Sequence, residues 1–342
     1  MGDIYRLFRL FGKLPGTRLK LAALYGLHVT GRRYLGVFLD PVLACNFRCR
    51  MCYFSDEAYR REARGVMSMD DYRRVAGALF RRTLKLQLGC GAEPTLYKEL
   101  GELVRLAKQA GVPYVSMTTN GALLSEKRLT EYVEAGLDEI TLSVHGTQKS
   151  TYEFFMVNGS FERFTALLAD LARVKARHPG FKVRINYTMN ADNVEELKHL
   201  PELLETVRID VLQLRPIQKI GEHTAYENFD LTRILELYDE VLLPVQRYCA
   251  ERGIACLIPE KENLVALEED KPDGKWMIQD VTYCYVSPNF CWKGDFDLRT
   301  DTFESYCRRV GWGHKIWRCI FHGKEKRKRD MDRTKSLNYK LK

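Results

Sequence analysis

The chain reads as an α/β protein: a parallel sheet with helices outside it, followed by a small cysteine-containing extension. Three observations predict this. From residue 34 to 252, β-like runs and helical runs alternate six times, and such alternation gives a parallel sheet covered by helices. After residue 252 the alternation stops, and residues 255–323 are short runs rich in aromatics that hold five of the ten cysteines. Third, 342 residues with 45% hydrophobic and 29% charged side chains suffice for one large soluble unit and a smaller one.

In order, residues 4–27 carry Ile4, Leu7, Leu10, Phe11, Leu14 and Leu19 at helical spacing among Arg and Lys, with a break near Pro15-Gly16. This amphipathic stretch, within an N-terminal segment 1–33, is expected to dock on the body. Peripheral contact with an anionic membrane is the other use for such a helix. Strands are expected at Tyr34–Val42, Leu84–Leu88, Tyr114–Thr118, Glu139–Val144, Lys182–Thr188 and Val211–Arg215. The intervening and following helices are expected at Met69–Arg82, Lys98–Ala110, Ser125–Ala135, Phe161–Arg177, Asn193–Thr206 and Leu231–Arg252. Ser125 and Gly136 are the start and stop signals of the third helix. Six such units make either an open sheet or an incomplete barrel. Residues 253–323 form the extension, and 324–342 a basic, apolar-poor tail expected to be disordered.

Charge narrows the function classes. Residues 1–33 hold seven basic groups and one acid, and residues 324–342 nine and three. The stretch between them is therefore about −3 within the overall +9. A nucleic-acid-binding fold would carry its basic excess on the body, so nucleic acid is not the expected partner. No run approaches the ~18 apolar residues of a membrane span, and Met1–Leu10 has no signal-peptide pattern. The expected compartment is the cytoplasm. There, clustered cysteines point to metal or catalysis rather than disulfides.

The strongest chemical signal is Cys45-Asn46-Phe47-Arg48-Cys49-Arg50-Met51-Cys52, in the loop after the first strand. Thiolates hold iron–sulfur clusters. Three of them, rather than four, leave one metal position open for a reactive ligand. A zinc knuckle is the bland alternative, but no fourth ligand follows closely: the next Cys is Cys90 and the next His is His145.

A CxxxCxxC loop after the first strand of six βα units resembles the radical SAM superfamily, over roughly residues 34–220. The resemblance implies a partial (β/α)6 TIM-like barrel with its site at the C-terminal strand ends. It also implies a 4Fe-4S cluster on Cys45, Cys49 and Cys52, with S-adenosylmethionine (SAM) on the fourth iron. Reductive cleavage of SAM would yield a 5′-deoxyadenosyl radical that abstracts hydrogen from a substrate. An electron donor such as flavodoxin or ferredoxin is implied as a partner.

Motifs at the later strand ends extend the resemblance. Gly89-Cys90-Gly91-Ala92-Glu93-Pro94 is similar to the family's GGE-P, with Ala92 in place of the second Gly. Thr118-Thr119-Asn120-Gly121 matches TNG. Ser143-Val144-His145 stands where a Ser-x-Asp is usual. By resemblance, SAM contacts fall on Met51, Gly91, Glu93, Asn120, Ser143, Asn186 and Arg215. Met51 replaces a frequent aromatic, and His145 receives no proton-transfer role. A carboxylate such as Glu93 suits an ammonium group, and glycines admit close backbone approach.

A second group, Cys284, Cys291, Cys307 and Cys319, follows the barrel. Its position is similar to the SPASM or twitch extensions that carry an auxiliary 4Fe-4S cluster. Its spacing lacks their CxxC pair, and buried free thiols are the alternative. Cys90, Cys249 and Cys256 are expected to be structural. The substrate is not written in the sequence: a peptide or protein, as for SPASM maturases, or a sugar- or lipid-linked small molecule would fit, and the oligomeric state is equally unread. The rival class is a non-catalytic zinc- or RNA-binding protein on a barrel scaffold. It leaves Glu93, Ser143 and Asn186 at successive strand ends unexplained.

Overall fold

A computed structural model describes residues 4–218, 223–264 and 275–322. The expected tail at 324–342 lies outside the described residues.

Among the described residues, nine strands form one sheet in the order β7-β6-β5-β4-β3-β2-β1-β8-β9. The first six are β1 (Leu35–Leu39), β2 (Thr83–Leu88), β3 (Tyr114–Thr119), β4 (Glu139–Val144), β5 (Lys182–Met189) and β6 (Val211–Pro216). They run parallel, each beside its sequence neighbour. Such an order needs a crossover helix on the same side each time, which is the curved half of a TIM-like barrel. The outward side chains are apolar and buried: Val37, Leu86, Val115, Ile140, Ile185 and Leu212 are each at most 1% exposed. Against them pack helices Met69–Leu79, Leu100–Gln109, Glu126–Glu134 and Phe161–Arg177. Ser68, Ser125 and Ser160 cap three of these by accepting a backbone N–H from the third helical residue.

The opposite face of the sheet is polar. The register places Gln87 beside Ser116, Thr118 beside Thr141, Ser143 beside Asn186, and Asn186 beside Gln213. A polar concave face is the lining of a ligand site rather than of a packed core.

Two expected helices are broken, each at a proline. Residues 193–206 become a 3-10 turn, Glu195–His199, and a short helix, Leu200–Leu203, with Pro201 in its first turn. Residues 231–252 become Thr232–Glu236, a π turn at Tyr238–Leu242, and Leu243–Glu251. Pro244 lacks an N–H, and its ring excludes the carbonyl four residues back, which forces the wider turn ahead of it.

The described parts of 253–323 join the same sheet. Strand β7 (Ala255–Leu257) extends the sheet beside β6, and β8 (Tyr283–Ser287) lies parallel to β1, followed by antiparallel β9 (Phe290–Cys291). Trp292, Phe303 and Tyr306 stack under β8 as core, with Trp292 only 4% exposed.

The N-terminal segment forms α1 (Ile4–Lys13) and α2 (Gly16–Val29), parted at Pro15. Ile4 is buried. Tyr5 reaches the N-terminal end of the polar face, donating its hydroxyl to Glu139 and accepting from Arg184. Glu139, 1% exposed, also accepts from Tyr114 at 3.0 Å and faces Lys85 and Arg184 at 4.0 and 3.5 Å. This network plugs the barrel's base, the end of such folds associated with stability rather than catalysis.

Candidate active site

At the C-terminal strand ends, three loops are tied into one unit. The loop after β1 carries Cys45, Cys49 and Cys52, all partly exposed and none in a disulfide. It is anchored by Phe47, 2% exposed, and by backbone bonds from Arg48 N to Val157 O and Arg50 N to Phe155 O, both 2.9 Å. The Phe47 N–H points at Cys45 Sγ (3.4 Å). Burial raises all three thiol pKa values. Cys45 is pushed to about 12, with Glu93 and Cys52 adding to the rise, and Cys49 is driven well up by burial together with Cys52 and Cys45. The three groups are thus near enough to repel one another as thiolates, and the Arg48 guanidinium offsets this only in part, at Cys45. A metal centre would supply that positive charge and hold the sulfurs deprotonated.

Among the described residues, no three His, Cys, Asp or Glu side chains converge as tightly as one metal ion requires. A cubane cluster asks for something wider, since each thiolate binds a different iron. Three thiols in one eight-residue loop fit a three-ligand iron–sulfur cluster.

The loop after β2 wraps a buried carboxylate that the sequence reading missed. Asp40, 1% exposed at the end of β1, accepts from the N–H groups of Cys90 (2.7 Å), Gly91 (3.0 Å) and Ala92 (3.3 Å), and from Tyr285 OH (2.9 Å). Burial pushes its pKa up, and these bonds oppose the rise. Gly91 is obligatory here: a Cβ would lie 2.4 Å from Tyr53 Oη and 3.3 Å from Asp40 Oδ2. Gly89, at φ +77°, lies so close to Thr118 O that a Cβ would meet it at 2.4 Å. Aspartate at the end of an apolar strand was the available sign of Asp40. Nothing in the sequence pointed to Tyr285, some 245 residues away.

Glu93 is 2% exposed and already held on all sides. Its Oε1 accepts from Thr95 N (3.1 Å), Thr95 Oγ1 (2.6 Å) and Thr119 Oγ1 (2.6 Å), and its Oε2 from Asn120 N (2.9 Å). Burial raises its pKa against these bonds. Its carboxylate therefore orders the β3 loop, and Asn120 in turn donates to Asn46 Oδ1 at 2.8 Å and approaches Cys45 Sγ at 3.9 Å. Carboxylate, β3 loop and cysteine loop form one chain of contacts.

Further along the polar face, several groups await partners. Asn186 Oδ1 and His145 Nδ1 are buried without a hydrogen bond, as is Gln218 Oε1 just past β6. Ser143 lies beside Asn186, and Arg215 beside Thr188 on the next strand. Met51, 6% exposed, packs with Phe155 and Ile217 near Tyr226 and Phe229, and accepts from Asn190 Nδ2 at 3.0 Å. An apolar pad beside orphaned polar atoms suits a ligand with a flat heterocycle and charged ends.

The second cysteine group is spread over four elements. Cys284 and Cys291 lie on the paired strands β8 and β9, and Cys291 adds to the rise that burial imposes on the Cys284 thiol. Cys307 is on the helix Phe303–Arg309, where Glu304 adds to the rise from burial and Arg82 opposes it, and Cys319 is on the helix Trp312–His322.

A parallel half-barrel with a three-thiol loop at its mouth defines an iron–sulfur enzyme scaffold. The radical SAM superfamily model matches residues 40–204. Probable GTP 3′,8-cyclases of Metallosphaera sedula and Saccharolobus solfataricus are 30% and 31% identical over 253 and 250 residues. Each match covers 72% of this chain, and 72% and 74% of the relatives. Among solved structures, Streptococcus suis SuiB bound to S-adenosylmethionine aligns with TM-score 0.59 at 18% identity over 77% of this chain. This chain spans 61% of that one. The chain anSMEcpe with bound AdoMet aligns with TM-score 0.50 at 18% identity, over 67% of this chain and 65% of its own. The chain belongs to the radical SAM superfamily, whose cofactors are a 4Fe-4S cluster and SAM.

Proposed function

We propose that SAM binds across the mouth between the cysteine loop and β6, and that the radical it yields abstracts hydrogen from an anionic substrate entering beside Arg215. The observation that carries this is the pair of buried, unpartnered atoms Asn186 Oδ1 and His145 Nδ1 on the polar face. Buried polar atoms without partners are rare unless a ligand completes them. When bound, the cluster on Cys45, Cys49 and Cys52 supplies the electron that breaks a carbon–sulfur bond of SAM.

The chain's own residues do the rest. Gly91 and its neighbours hold the backbone of the β2 loop against Asp40, leaving the loop's carbonyl edge for the SAM ammonium. Asn120, fixed by Glu93, spaces the β3 loop from the cysteine loop. Ser143 donates its hydroxyl to a ribose or carboxylate oxygen, Asn186 Oδ1 accepts from a ribose hydroxyl, and the Met51–Phe155–Ile217 pad covers the adenine. Arg215 provides positive charge at the sixth strand end, suited to a phosphate or carboxylate.

For the substrate, two relatives at 30–31% identity are named probable GTP 3′,8-cyclases, and a nucleoside triphosphate would meet Arg215. GTP is therefore the first compound to assay. The peptide alternative draws on neighbours at 18% identity, which share the fold alone.

The test is anaerobic reconstitution followed by iron counting and 5′-deoxyadenosine formation from SAM under reductant. Roughly four irons per chain and cleavage lost in Cys49→Ala are expected. Asn186→Ala should weaken SAM binding about tenfold, the loss of one good hydrogen bond to a charged or polar ligand. Cleavage surviving in Cys49→Ala, or zinc without iron, would sink the proposal.

A further inference from the structure

The polar mouth and the plugged base account for the interior, but the outer surface of α1, α2 and the helix Trp312–His322 has no role in either. The buried side of α2 carries Leu21 and Leu24. Away from it, Leu19 is 47% exposed, and Leu7 and Leu10 of α1 are 48% and 55% exposed. The C-terminal helix packs along α2 through the Tyr25–Trp317 ring contact at 5.2 Å. One turn further on, Phe321 packs against Trp317 with tilted rings, centroids 4.7 Å apart. Yet Trp317 is 46% and Phe321 56% exposed. Single exposed leucines are ordinary, but five large apolar groups on three neighbouring helices mark a contact surface.

The charge of the same helices selects the contact. Residues 4–29 contain Arg6, Arg9, Lys13, Arg18 and Lys20 and no Asp or Glu. The helix 312–322 adds Lys315 and Arg318, again with no acid. Exposed Leu, Trp and Phe among Lys and Arg is the composition of a helix lying in the headgroup region of an anionic bilayer. A second copy of this chain would bring a surface of the same sign against it, which opposes a symmetric dimer here. Nucleic acid would use the cations but would leave the aliphatic groups in water. No described helix is long and apolar enough to cross a membrane, so the contact is peripheral.

We propose that this face docks the enzyme on an anionic lipid surface, with Leu7, Leu10, Leu19, Trp317 and Phe321 inserted among headgroups and the Lys and Arg side chains against their phosphates. The barrel's mouth stays free, because α1 enters the molecule at the base, where Tyr5 meets Glu139.

The experiment is flotation of the full-length protein with phosphatidylcholine vesicles, with and without roughly a third phosphatidylglycerol. Wild type is compared with two variants: Leu10→Ser/Trp317→Ser/Phe321→Ser, and Arg18→Glu/Lys20→Glu. All five positions are outside the SAM site, so 5′-deoxyadenosine formation reports an intact enzyme. Expected are flotation with the anionic vesicles only, weakened by high salt, and a loss of about tenfold or more in each variant. No flotation of wild type, or flotation untouched by both variants, overturns the proposal. So does a light-scattering mass that halves in the apolar variant without vesicle binding, which would assign the face to a second copy. Capture of an RNA oligonucleotide without flotation would likewise overturn it in favour of nucleic acid.

Discussion

Lowering the pH should destabilise this fold most through the fully buried His145, with His28, also depressed by burial, acting in the same direction. His145 stands at the end of β4, its Nδ1 is closed to solvent and unpartnered, and burial depresses its pKa from 6.5 to about 4, with a compensating influence from Val144's backbone. The folded state therefore holds the ring neutral, while the unfolded chain protonates near 6.5. The unfolded state binds more protons between these values, so stability is fully present above pH 6.5 and is lost as pH falls toward 4. The fall from 6.5 to about 4 corresponds to about 3 kcal/mol at most. Asp40 and Glu93 act oppositely. Their pKa values are raised in the fold, so each stabilises the fold more as pH falls. A comparison with His145→Asn isolates His145, because both carboxylates and His28 remain in the variant. The assay is urea unfolding from pH 7.5 to 4.5. Wild type should lose up to about 3 kcal/mol more than the variant across that window. Parallel curves for the two proteins would refute the depressed pKa and with it the dry environment of the ring.

Two other predictions concern opposite ends of the barrel. Glu93→Gln turns one of the two carboxylate oxygens into an N–H donor facing either Asn120 N or the threonine donors. About 1–3 kcal/mol of stability should be lost, and SAM affinity measured by equilibrium dialysis should fall about tenfold as the β3 loop loosens. Lost stability with unchanged affinity would leave Glu93 outside the cofactor site. Tyr5→Phe removes the hydroxyl shared by Glu139 and Arg184. It should lower thermal stability by about 1–3 kcal/mol while leaving SAM affinity alone, and an unchanged melting temperature would remove α1 from the plug.

The sequence made the barrel's outer face legible because period and burial coincide there: β5 alternates buried and partly exposed along its whole length, and the strand ends fell within a few residues of their expected places. Prolines were visible too, but their effect was underweighted. Pro201 and Pro244 each lay inside an apolar helical pattern, and the backbone geometry of proline overrode that pattern. How the extension joins the sheet was not legible, for a different reason. Residues 283–287 carry no sign of which strand they will join, and the pairing of β8 with β1 is a contact across almost the whole chain.

The same distinction separates the parts of the site. Cys45, Cys49 and Cys52 are legible because one loop supplies all three, so spacing alone stands in for geometry. Cys284, Cys291, Cys307 and Cys319 have no such constraint, because four separate elements carry them and spacing cannot stand in for geometry. The groups the sequence missed are those that act through other groups. Asp40 holds Gly91 by bonding the backbone of 90–92, and Tyr285 steadies Asp40 from the far end of the chain. Glu93 is read as a ligand group because its motif places it at a strand end, and its Oε1 already holds three donors from Thr95 and Thr119 while Oε2 holds one, Asn120 N. Its carboxylate thus has much influence over where Asn120 sits and keeps a lone pair on Oε2 for a ligand. Further ligand contacts are to be sought among the atoms left without partners, Asn186 Oδ1 and His145 Nδ1.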